Sequence, residues 1–135
     1  VDQDRQTSVE GIFACGNVLH VHDLVDFVSE EAEIAGSSAA EYIMNKSSEA
    51  QSVRLVADGK VRYTVPQRVT AHKDVNVFFR VADVYKNVKV NVYKDGELVL
   101  SKKKQRVAPG EMESLKLSAD IIDGASELKI GLEEL

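Results

Sequence analysis

Hydrophobic and polar residues alternate with a period of two along three stretches in the second half of the chain. Val75, Val77, Phe79 and Val81 interleave with Asn76, Phe78 and Arg80; Val88, Val90 and Val92 with Lys89, Asn91 and Tyr93; Leu128, Ile130 and Leu132 with Lys129, Gly131 and Glu133. Successive side chains of a strand point to opposite faces, so the pattern predicts strands with one face in a core and the other in water. A run through Val61, Tyr63 and Val65 ends at Pro66, which has no N–H to give a sheet. Asp-Gly pairs at 58–59 and 95–96 supply the positive φ angles of tight hairpins, and Pro109-Gly110 adds a further turn. Roughly seven short strands at this spacing predict a mainly β fold over residues 53–135. Its form is a two-sheet β-sandwich, immunoglobulin- or fibronectin-like in outline. A small open barrel is the competing architecture.

The period changes upstream. Between residues 26 and 45, small or apolar residues recur at steps of three and four as Val25, Val28, Ala32, Ala35, Ala39 and Tyr42, while Glu30, Glu31, Glu33 and Glu41 fill the other positions. This predicts one amphipathic helix, its acids on the solvent side. Asp23 or Asp26 stands ready to cap it, and Lys46 follows its end. The alanine-rich stripe, with Ile43, needs cover, either from a second copy in a homodimer or by folding back on the sandwich; its near-heptad spacing favours the dimer. Before the helix, "GIFACGN" at 11–17 predicts a short strand running into a glycine turn.

Composition refines this division. Residues 1–46 hold nine acids against Arg5 and Lys46, whereas the rest of the chain is mildly basic. The polar, Ser-rich stretch 47–52 between them reads as a linker, giving an N-terminal segment 1–46 and a β domain 53–135. At 135 residues, 44% hydrophobic and 29% charged, the chain has globular composition. It shows neither a bilayer-length apolar run nor a signal segment, so it is expected to be cytoplasmic, without membrane insertion. Cys15 is the sole cysteine, which excludes an internal disulfide or CxxC pair.

The stretch "TSVEGIFACGN", residues 7–17, closely resembles the second FAD-binding motif of the pyridine nucleotide–disulfide oxidoreductase family, a family of flavoproteins with two dinucleotide-binding domains. Thr7, Ser8, Gly11, Ile12, Phe13, Ala14, Cys15 and Gly16 match the motif, and the helix ending in "AAEYI" at 39–43 resembles the family's closing helix. The resemblance implies that residues 1–46 are the last segment of an FAD-binding, Rossmann-like domain of a longer enzyme. It implies FAD as cofactor and NAD(P)H as co-substrate, with Gly16, Asn17 and Val18 at the ribityl chain and the backbone near Val25 and Asp26 at the flavin ring. Asn17 stands where the family has Asp, so the hydroxyl contact would be made without charge. By the same resemblance Cys15 occupies a small-residue position and is read as packing.

The run "HVHD" at 20–23 would then lie close to the flavin. His20 or His22 can serve as a proton donor there, oriented by Asp23, since imidazole titrates near neutrality. Cys15, His20, His22 and Asp23 can alternatively be read as metal ligands, but their spacing matches no established zinc signature and no metal is assigned. The third reading is structural, with the histidines bonding the loop and Asp23 capping the helix. "KKKQR" at 102–106 is a dense basic run, but no stacking aromatics interleave it, so it reads as a solvated edge strand and not a nucleic-acid site. Three function classes follow: a C-terminal part of an FAD-dependent NAD(P)-linked oxidoreductase, inactive alone and partnered by the enzyme's own FAD and NAD domains; a module docking subunits of a multi-component dehydrogenase; and a free-standing β domain.

Overall fold

The computed structural model describes residues 1–45 and 51–135. Most of the linker expected at 47–52, and Lys46, lie outside the described residues; Gln51 and Ser52 are exposed and carry no regular structure. The elements are α1 (Val25–Ile43), β1 (Val53–Ala57), β2 (Val61–Val65), β3 (Arg68–Val69), β4 (Val75–Val81), β5 (Tyr85–Lys94), β6 (Glu97–Val107), β7 (Glu113–Leu117), the helical turn α2 (Ala119–Ile122) and β8 (Glu127–Glu134). Eight strands among the described residues form a five-stranded sheet, β3-β1-β8-β5-β6, and a three-stranded sheet, β2-β4-β7. The mainly β, sandwich-like fold read from the alternation is therefore present. Among the described residues, no helix is long and apolar enough to cross a membrane.

The alternating residues meet as expected. Val88, Val90 and Val92 of β5, Leu128 and Ile130 of β8 and Leu55 of β1 face Val75, Val77, Phe79 and Val81 of β4 and Leu115 and Leu117 of β7 in one apolar cluster. Asp95-Gly96 closes the β5–β6 hairpin with φ of 49° and 90°, as the two-residue turn requires. The other Asp-Gly pair behaves differently. Asp58-Gly59 joins β1 to β2, which lie in different sheets, so it is a crossing between layers and not the hairpin expected. The first and last strands of the sandwich, β1 and β8, pair in parallel from Arg54↔Glu127 to Ala57↔Ile130.

Two departures from simple alternation place the N-terminal segment. A bulge between Val61 and Tyr63 shifts the register of β2, so Val61 pairs with Val81 on the core side while Tyr63 and Val65 pair with Arg80 and Phe78 on the opposite face. Tyr63 and Val65 thus do not share the face of Val61. On that outer face Phe78, expected in water, is buried, because Phe27 of α1 stacks edge-on against it at 5.6 Å and His22 at 5.3 Å. The result is three layers: the five-stranded sheet, the three-stranded sheet, and a covering formed by residues 1–45. The helix has folded back on the sandwich, as one of the two expected arrangements required.

Residues 1–45 are also stitched to the β layers through polar contacts. The main chain of Asp2 bridges Arg68 in parallel, the Gln67 N–H donates to the Val1 carbonyl at 2.9 Å, and the Thr70 N–H donates to Gln3 Oε1 at 2.8 Å. "GIFACGN" forms no strand of its own. Its pairing is a single antiparallel bridge, Gln6↔Phe13, because Gly11 at φ +81° turns the chain back tightly against Tyr42.

Candidate functional site

The centre of the covering layer is a buried polar cluster. Glu31, in the second turn of α1, has a side chain only 1% exposed. The expected pattern of acids on the water side fails at this position: Glu31 shares the inward face with Phe27, Ile34, Ala35 and Tyr42, while Val25, Ala32 and Ile43 of the expected stripe are exposed. Three groups surround its carboxylate. Arg5 Nε donates to Oε2 at 3.1 Å, the Gly16 N–H donates to Oε1 at 2.9 Å, and His22 Nε2 stands 3.2 Å from Oε2. Arg5 is held by its own backbone, at φ 66°, and by donating Nη1 to the Gln3 carbonyl at 3.2 Å. Burying one carboxylate without these partners would be prohibitive, so the cluster is built as a unit.

His20 and His22 extend the cluster toward the sheet. Their rings lie 4.2 Å apart edge to face, and His20 Nδ1 lies 3.4 Å from the Tyr63 hydroxyl. Burial pushes the His20 imidazole down to about 4, with His22, Arg80 and Arg5 acting in the same direction against Glu31, so it is neutral at physiological pH. Among the described residues, His20 Nε2 and both ring nitrogens of His22 find no hydrogen-bond partner. The expectation that these histidines face a cofactor meets a clear geometric finding: both are enclosed, against Tyr63 and Phe78.

Asp23 takes a different part from either role expected of it. It neither caps α1 nor orients a histidine. Its Oδ1 accepts from Arg80 Nη2 at 2.8 Å and its Oδ2 accepts the Met112 N–H at 2.6 Å, a contact that, with Arg80, holds the carboxyl below its ordinary value. Asp26 lies in the first turn of α1, but the N-cap position is Leu24, whose side chain cannot cap, so among the described residues the leading N–H groups of the helix have no side-chain cap.

The residues expected at a cofactor lie on the other side of this loop. Gly16–Val18 form a 3-10 turn, with Gly16 at φ +74° and open space where a Cβ would project. Asn17 and Asp26 are exposed, and Val18, Val21, Leu24 and Val25 are 83%, 59%, 58% and 75% exposed. The segment is inside out: its valines and leucine face water while its histidines, and the arginine and glutamate they meet, are buried. Cys15 is half-buried and free. The basic run 102–106 lies in β6, an edge strand, where Lys104 pairs with Glu113 and Arg106 with Glu111. What the pattern missed was the Arg5–Glu31 pair. The available signal was Glu31 standing four residues from both Phe27 and Ala35, on one face of the helix. No family model matches the chain, and no curated protein or solved structure matches it either.

Proposed function

We propose that residues 1–45 form one wall of an FAD site in an FAD-dependent, NAD(P)-linked oxidoreductase, with the β layers as an accessory unit beside it. The observation that carries this reading is the exposed apolar surface at Val18, Val21, Leu24 and Val25, next to a glycine at positive φ and a helix whose leading N–H groups are uncapped. Solvent alone gives no reason to turn valines outward and histidines inward; a further layer of protein with a bound flavin does. On this reading the turn at Gly16 lets the ribityl chain approach the backbone. Asn17 would hold a ribityl hydroxyl, and the amino end of α1 would favour the negative charge that the flavin takes on when reduced. Bound there, FAD would supply the hydride chemistry, accepting a hydride from NAD(P)H and giving its electrons to a further acceptor. His20 and His22 are buried behind this wall.

The test is the natural gene product purified from its source and examined for bound flavin. A yellow protein bleached anaerobically by NADH or NADPH supports the reading; a colourless one overturns it. A second reading, a module that docks other dehydrogenase subunits, is favoured by β6, whose outer edge has no strand beside it among the described residues and which exposes Leu98 and Val99.

A further inference from the structure

His20, His22 and Glu31 each offer one ligand atom, and the three atoms lie within 4.8 Å of one another in a fully buried setting. A buried imidazole nitrogen ordinarily finds a partner, because hydrogen bonds lost to water must be replaced. Here three of the four ring nitrogens have none among the described residues; His22 Nε2 is near Glu31 Oε2 but does not hydrogen-bond it. The arrangement follows from local structure. His20 and His22 lie on the loop that leads into α1 with their rings 4.2 Å apart, and the second turn of α1 brings the Glu31 carboxylate within 4.8 Å of a nitrogen of each.

We propose that His20, His22 and Glu31 bind a divalent transition-metal ion of the zinc type, with water completing the coordination. Two imidazole nitrogens and one carboxylate oxygen are a donor set for zinc, cobalt or nickel, whereas magnesium and calcium require oxygen ligands. The outer contacts are those a metal site needs. Tyr63 at His20 Nδ1 leaves Nε2 to the metal, and the Gly16 N–H fixes the Glu31 carboxylate through its other oxygen. Arg5 has two effects. It balances Glu31 while the metal is absent, so the ligands keep their places, and it opposes a dication, so only ions that bind imidazole strongly will enter. The site is on the inward side of the loop and does not depend on the flavin reading.

The experiment is titration of the full 135-residue chain with Co²⁺, followed by competition with Zn²⁺. One equivalent of Co²⁺ should produce visible absorption of low-symmetry coordination, Zn²⁺ should abolish it, and Zn²⁺ but not Mg²⁺ should raise the melting temperature. His22→Gln, which keeps the ring's volume approximately and removes a ligand, should weaken binding about tenfold or more. Should His22→Gln fail to fold, nitrogen NMR of the imidazoles in the unaltered chain decides: Zn²⁺ should shift His20 and His22 and leave His72 in place. Absence of Co²⁺ absorption, or binding that is lost in His72→Gln and kept in His22→Gln, or a shift confined to His72, overturns the proposal.

Discussion

Replacing Arg5 with methionine tests whether the covering layer is truly part of the folded unit. The side chain of Arg5 is 3% exposed and that of Glu31 1%, so the substitution removes a cation and leaves a carboxylate enclosed with the Gly16 N–H as its remaining aligned donor. Breaking a buried pair from one side costs about 3–5 kcal/mol. With a urea dependence of about 2 kcal/mol per molar, that corresponds to a fall of about 2 M in the unfolding midpoint. The companion Arg5→Met/Glu31→Leu removes both charges and should recover most of the loss, since an apolar pair of similar volume is often neutral or better. The assay is urea unfolding followed by circular dichroism, with the slope checked for constancy. A loss below about 1 kcal/mol for Arg5→Met would refute the reasoning, because it is what an exposed pair gives. It would mean that water reaches Glu31 and that residues 1–45 do not pack on the three-stranded sheet as described.

The remaining predictions concern the two faces of β4, the acid limb and the exposed wall. Val77→Asp puts an unpaired charge among fully buried neighbours and should unfold the protein, whereas Asn76→Asp, at an exposed position of the outer face, should leave melting nearly unchanged; equal melting curves would show the faces are misassigned. Phe78→Ala, on the covered outer face, should cost about 3–5 kcal/mol in urea unfolding, against near neutrality if that face were in water. Asp74 is held below the ordinary carboxylate value by the Ala119 N–H and then Lys116, and Asp95 by the Ser126 and Glu127 N–H groups. Their stabilisation is complete above the unfolded value of about 3.9 and is lost as pH falls through the lower folded values, so Asp95→Asn should flatten the decline in melting temperature below about pH 4; an unaltered acid limb refutes this. Val21→Asp should change stability by less than about 0.5 kcal/mol yet lower flavin retention in the natural gene product, and full retention counts against the proposed wall.

How far the pattern of residues revealed the structure depended on whether a face met the neighbour it seemed to expect. The strands containing Val75–Val81, Val88–Tyr93 and Leu128–Glu133 were legible because one face of each meets the shared core, so their valines, Phe79, Leu128 and Ile130 recur at period two, even though Phe78 and Asn91 on the other faces are also buried. Asp95-Gly96 was legible because turn chemistry is local. Tyr63 and Val65 were not, since a bulge moves them to the other face without changing residue type, and Asp58-Gly59 turns the chain between sheets using the same dipeptide. In the candidate site, the placing of His20 beside His22 was legible from their spacing of two. Their direction was not, because it is set by Phe78 and Tyr63, more than forty residues away in the chain. Glu31 was hidden by its identity: a glutamate among glutamates carries no sign that one of them meets an arginine. Asp23 resembled a helix cap in sequence, but Arg80 and the Met112 N–H competed for it and won.

The parallel pairing of β1 with β8 also sets how the sandwich meets mechanical load. Tension applied at the leading end of β1 and the trailing end of β8 pulls the two strands past one another along their length. Their ladder, from Arg54↔Glu127 to Ala57↔Ile130, is then strained as a set, and its bonds must give way together. The β5–β6 hairpin, pulled apart from its open end, would instead unzip one bond at a time. Force travelling along the chain therefore reaches the sandwich in its resistant direction, so the covering layer and its buried cluster would detach before the sheets separate.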